Sequence, residues 1–215
     1  MIKKREKTAK TSAVNKKVHE LITKIDEQPH NSENYLELAT FLIEQGSSDQ
    51  ATELLEKAQK LVTHPQDLDY DLAVCYYLQG KFDTALNILN QIPNDDLVLY
   101  QKALVFFKVG QSQKALAYAL TIKNVDAKVS ELIGDIWLSL GKTQEAESAY
   151  KKIAHKKRSA KINFMLGITI LSRNRQEAEK YLAKSKKQDP KIFAQEQKKY
   201  ASILKLVNDA RKKND

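Results

Sequence analysis

Four glycines, Gly46, Gly80, Gly110 and Gly141, are each followed five residues later by an alanine: Ala51, Ala85, Ala115 and Ala146. Four residues before each glycine stands a large apolar or aromatic side chain, Leu42, Tyr76, Phe106 or Trp137. Seven residues before it stands a small one: Ala39, Ala73, Ala103 or Gly134. The pattern recurs at intervals of 34, 30 and 31 residues. Self-similarity at this period indicates stacked helix–turn–helix units, because one such unit cannot bury its apolar face alone. The expected fold is therefore an all-α solenoid. Such an array has a long concave face in place of an enclosed pocket.

The units follow one plan. In the first, 32–65, helix A presents Tyr35, Leu38, Ala39, Leu42 and Ile43 and helix B presents Ala51, Leu54, Leu55, Ala58 and Leu61. Gly46 makes the turn between them, since only glycine takes a positive φ without steric cost. Units at 66–95, 96–126 and 127–159 repeat this spacing, and a degenerate fifth, 160–190, has Asn174 where glycine stood and a turn one residue shorter. Residues 12–28 carry Val14, Val18, Leu21, Ile22 and Ile25 at helical spacing, a flanking helix that Pro29 ends. Residues 1–11 are charged and without apolar periodicity, and read as a basic disordered tail. Residues 191–215 read as a capping helix with Ile192, Phe193, Tyr200, Ile203, Leu204 and Val207 inward.

This spacing of small, aromatic, glycine, alanine and closing proline resembles the tetratricopeptide repeat. The pairs Ile133-Gly134 and Leu166-Gly167, the aromatics Tyr76, Phe106 and Trp137, the alanines from Ala51 to Ala178 and the terminal Pro190 carry the likeness, over residues 32–190. The resemblance implies a right-handed superhelix of antiparallel helix pairs, with the first helix of each pair lining a groove that binds peptides or partner proteins. It further implies that the second, fifth, ninth and twelfth positions of each unit face that groove. In the central units these include Leu36, Tyr70, Val74, Tyr77, Tyr100, Leu104 and Phe107. Rigid aromatics give large contact area at low entropic cost, which suits a binding face. The same rings could instead pack between repeats, or be covered by a terminal helix or a second copy. Family members that hold a C-terminal carboxylate use a clamp of Lys, Asn and Arg. Here those places hold Leu36, Thr40, Asp71, Leu97 and Gln101, so that ligand would lack its cations.

Charge is uneven: residues 1–24 hold eight basic and two acidic side chains, 25–125 hold seven and fourteen, and 126–215 hold twenty-one and eleven. A basic C-terminal third raises an alternative, an RNA- or ribosome-associated adaptor acting through Lys156, Lys157, Arg158, Lys161, Lys184 and Lys187. Only five of the thirty-six basic residues are arginine, and aromatics are not interleaved with the clusters, which disfavours base reading. The four histidines are scattered, the one cysteine, Cys75, falls among core positions, and no metal-ligand spacing occurs. The sequence thus reads as a non-enzymatic interaction module without cofactor or metal. It has no secretory leader and no apolar run of membrane-spanning length, so a cytoplasmic location is expected.

Overall fold

A computed structural model describes residues 2–212, with side chains from 13 to 202; the side chains expected inward at Ile203, Leu204 and Val207 lie outside that range. Twelve α-helices and two short 3-10 turns account for the regular structure of the described residues, which contain no strand. In order they are α1 (Ile2–Glu27), α2 (Ser32–Glu44), α3 (Ser48–Ala58), α4 (Asp69–Leu78), α5 (Phe82–Leu89), α6 (Asp96–Lys108), α7 (Ser112–Thr121), α8 (Ala127–Ser139), α9 (Thr143–Lys152), α10 (Ala160–Ile170), α11 (Arg175–Gln188) and α12 (Pro190–Lys212).

Each turn expected to use glycine does so. Gly46, Gly80, Gly110 and Gly141 have φ of 78°, 76°, 78° and 72°. The same pair of hydrogen bonds closes each helix: Gly46 N–H donates to Ile43 O at 2.9 Å and Ser47 N–H to Leu42 O at 2.9 Å, and the three later turns repeat this. Two orphan carbonyls at the helix end are satisfied this way. The fifth turn is built differently. Asn174 has φ −143° and its side chain accepts from Glu177 N–H, so it caps the start of α11 and no left-handed residue is needed. Most first helices are also capped at their start. Asn31, Asp126 and Ser159 accept from Glu33, Val129 and Ile162 N–H respectively, and Asp95 accepts from Val98 N–H at 2.8 Å. The second unit begins instead with a 3-10 turn, Pro65–Leu68, and its helices α4 and α5 are short.

The backbone of α1 is helical from Ile2, where the sequence suggested a tail up to residue 11. The stretch is rich in Lys, Glu and Ala and contains no Gly or Pro, so nothing in it stops a helix from extending.

The chain divides into two compact units, Met1–Val105 and Phe106–Asp215, with the boundary inside α6. In the first, Tyr35, Ala39, Ala51, Leu55, Ala58, Leu68, Leu72 and Cys75 form one apolar cluster, and Ala73, Ala85, Leu89, Val98 and Val105 form the next. The alanines are fully buried and set the distance at which helices approach. Leu21 of α1 is buried and Ile25 packs on the first cluster, as expected of a flanking helix. In the second unit the core is Ala146, Tyr150, Ile153, Ile162 and Leu166. Here glycine replaces alanine at the close approach: a Cβ on Gly134 would lie 2.4 Å from the Tyr150 ring, and one on Gly167 2.7 Å from Leu182 Cγ.

Candidate partner-binding groove

The seven side chains expected to line a groove are all half-buried, neither sealed in the core nor standing free. The reason lies in the helix register. Each first helix turns its small residue, such as Ala73, into the core, and the neighbouring positions fall at the edge of the packed face. Tyr70 and Tyr77 pack one side against the cluster of Ala73, Ala85 and Leu89. Tyr77 also meets Phe82 with ring centroids 5.9 Å apart. Burial pushes the Tyr70 phenol up to about 12, helped by the nearby Asp71 and Asp95 carboxylates and by Tyr100. Leu97, at the start of α6, is 61% exposed. The first unit therefore carries a partly open apolar and aromatic face made by Leu36, Tyr70, Val74, Tyr77, Tyr100 and Leu104. Phe107 belongs to the second unit, where it is half-buried. Packing and exposure are shared by the same rings.

A cleft of about 570 Å³ adjoins this face between α1 and α2, lined by Leu21, Leu36 and Phe41 and rimmed by Lys24, Glu33 and Glu37. Lys24 donates to Glu37 at 2.6 Å across it. Asp67 accepts from Ser32 at 2.9 Å and Asp69 from Gln59 at 3.0 Å. Cys75 is buried, and burial pushes its thiol up to about 11 against a hydrogen bond with Thr52 that acts the other way. It is a small core residue, and its thiolate is scarce at neutral pH.

In the second unit some of the matching positions are engaged by the chain itself, while Lys128 and Leu171 stay exposed. Lys161 Nζ lies 2.7 Å from both Glu131 and Asp135, and Tyr150 Oη donates to Asp135 at 2.6 Å. Phe164 is 3% exposed and meets Phe193 of α12 edge to face, centroids 5.6 Å apart. An aromatic in register is no open platform when a later helix covers it.

The six basic residues considered for a polyanion surface are in different situations. Lys156, Lys157 and Lys187 are exposed. Arg158 is 7% exposed; its Nε donates to Ile153 O at 2.8 Å and its Nη2 to Lys151 O at 2.9 Å, so it satisfies carbonyls at the end of α9. Lys161 sits in the ion-pair triangle just described, and Lys184 Nζ lies 2.9 Å from His155 Nδ1. Three of the six, Arg158, Lys161 and Lys184, thus make contacts within the fold.

No described helix is long and apolar enough to cross a membrane. Among the described residues no three His, Cys, Asp or Glu side chains gather as metal ligands do.

Helical hairpins in phase, closed by left-handed glycines and packed through small residues, define a helical-repeat protein. The repeats are similar to tetratricopeptide repeats, and residues 42–105 match that family's model. A TPR repeat-containing protein of Methanocaldococcus jannaschii is 30% identical over 142 residues, 61% of this chain. The chain spans about a quarter (24%) of that relative's length. Among solved structures, the APC/C hetero-tetramer Cut9-Hcn1 aligns with a TM-score of 0.73 at 16% identity, covering 86% of this chain and 39% of that one. YrrB, described as a TPR protein with an unusual peptide-binding site, aligns with a TM-score of 0.57 at 18% identity, over 83% of this chain and 97% of its own. At these identities the solved structures establish the fold.

Proposed function

We propose that this chain is a protein-interaction scaffold, and that the face made by α2, α4 and the start of α6 takes an extended segment of a partner protein. The observation that carries this reading is the half-exposure of Tyr70, Val74, Tyr77, Tyr100 and Leu104 at one register of successive first helices. A buried half holds each ring in place, so little entropy is lost when the exposed half meets a ligand. The peptide-binding site named for YrrB, a relative in fold, agrees with it. The contacts that engage Lys161 and Phe164 favour the first unit for this role.

The test is site-specific photo-crosslinking in the source cell. A benzophenone side chain at Tyr77 or Leu97 should capture a discrete protein, nuclease treatment should leave the product intact, and the same group at exposed Lys114 should not capture it. Tyr100→Ala, shown folded by circular dichroism, should lower the yield at least ten-fold. Capture that is equal at all three positions, or that disappears with nuclease, overturns the proposal in favour of a polyanion partner.

A further inference from the structure

The acidic side chains between residues 131 and 196 are engaged inside the fold. Glu131 and Asp135 hold Lys161, Glu147 pairs with Lys151 and Arg173, Glu177 with Lys151, and Glu179 with Arg175. Asp189 accepts from the Lys191 and Ile192 N–H groups at the start of α12, and Glu196 pairs with Lys199. Among the described residues of this span only Glu145, near the start of α9, lies outside these contacts. The lysines of α11 and of the 3-10 turn His155–Lys157 share in none of these carboxylates. Lys180, Lys184 and Lys187 fall on one face of α11. Lys184 Nζ meets His155 Nδ1 at 2.9 Å, which sets Lys156 and Lys157 beside that face. Ser185 Oγ donates to Ala160 O at 2.7 Å and Gln188 Nε2 to Arg158 O at 2.9 Å, so α11 is tied to the chain that follows the turn. Lys156, Lys157, Lys180 and Lys187 are exposed. Five ammonium groups thus gather on one fixed surface, and the partner the fold gives the central one is an imidazole.

Like charges held together repel until an anion covers them, and the make-up of the surface selects the anion. The large exposed apolar side chains of the second unit, Val109, Leu120, Val125 and Leu171, stand on other elements. A protein segment or a lipid surface is held by apolar area as well as by charge. Tyr181 of α11 packs on the core, so unpaired bases would find no ring to stack on. The arginines nearby are engaged, Arg158 on carbonyls and Arg173 and Arg175 on carboxylates, which leaves no free guanidinium fork to read base edges. A face of lysines alone holds the phosphates of a duplex, which carry most of its affinity and none of its sequence. We propose that α11 and the His155–Lys157 turn form a second binding surface, for duplex nucleic acid, gripped through its phosphates and blind to sequence. The surface shares no residue with the groove of the first unit and stands or falls independently of it.

The experiment is fluorescence anisotropy of the full chain with labelled RNA duplexes of two unrelated sequences, polyglutamate, and phosphatidylserine-containing vesicles as probes. Both duplexes should bind within two-fold of each other and at least ten-fold tighter than polyglutamate or vesicles. Five neutralised phosphates give a slope of log affinity against log salt of about −4, a loss of roughly 250-fold between about 50 and 200 mM salt. The triple variant Lys156→Glu, Lys157→Glu, Lys187→Glu changes only exposed side chains and should lose at least a hundred-fold in duplex affinity at the lower salt. A control with the same change of net charge, Lys60→Glu, Lys108→Glu, Lys142→Glu, also at exposed positions, should lose less than three-fold. Circular dichroism should show both variants folded like wild type. If the control loses as much as the triple variant, binding follows net charge and the surface is no site. If polyglutamate or vesicles bind as tightly as the duplexes, the partner is an acidic protein or a membrane and the inference falls. It falls as well if neither duplex binds wild type, or if the two duplexes differ more than ten-fold.

Discussion

At the residue scale, two substitutions separate packing from electrostatics. Gly134 lies against the rigid ring of Tyr150, which is buried and hydrogen-bonded to Asp135, so the ring has no room to retreat. Gly134→Ala should cost roughly 1–3 kcal/mol, as overpacking does, read as a lower urea midpoint with unchanged slope. Gly46 has open space around it and only its φ of 78° to defend, so Gly46→Ala should cost less, about 1 kcal/mol. Asp71 works in the opposite sense. Its folded-state pKa lies above the ordinary 3.8, so ionisation disfavours the fold at any pH above the folded value. Asp71→Asn should therefore melt higher than wild type at pH 7. The difference should shrink as pH falls through the raised pKa and vanish below about 3.8. Equal melting at pH 7 would mean that the carboxylate is compensated after all.

At the element scale, the helix ends hold the array together. Four glycine turns make the same two bonds, and four first helices begin at an Asn, Asp or Ser whose side chain caps them. Where α9 ends, Arg158 reaches back to the carbonyls of Lys151 and Ile153. Arg158→Ala leaves both without a donor in a buried setting and should cost roughly 1.5–3 kcal/mol, measured by urea unfolding. A surface cation would cost almost nothing on replacement. The same measurement on Lys157→Ala supplies that reference and should change stability by less than about 0.5 kcal/mol.

At the scale of the whole molecule, repeats touch only their neighbours, and stability is close to a sum of local terms. Lys161→Met removes the cation shared by Glu131 and Asp135, leaving two part-buried carboxylates facing each other. It should cost roughly 2–4 kcal/mol at pH 7 and less in acid, where the carboxylates are protonated. Hydrogen exchange should quicken in α8 and α10 and stay unchanged in α2 to α4; a uniform change would refute local additivity.

The sequence alone determined the repeat period, the helix count within each hairpin, the left-handed turns and the small residues at close approach. These are local matters: Gly46 to Ala51 is five residues, and sterics act over that distance. The groove positions came from the resemblance to the repeat family, and the seven side chains it named are half-buried. What only the tertiary structure decided is which of those side chains stay open. Lys161 meets acids 26 and 30 residues away, and Phe164 is covered by Phe193 from the next helix but one. Burial raises the Asp71 carboxyl above the usual carboxylate range. Arg158 stands in a run of lysines and looks like one of them until its carbonyls are seen. Pairing between repeats depends on how far two helices lie apart and how they are rotated, and spacing along one helix does not encode either quantity.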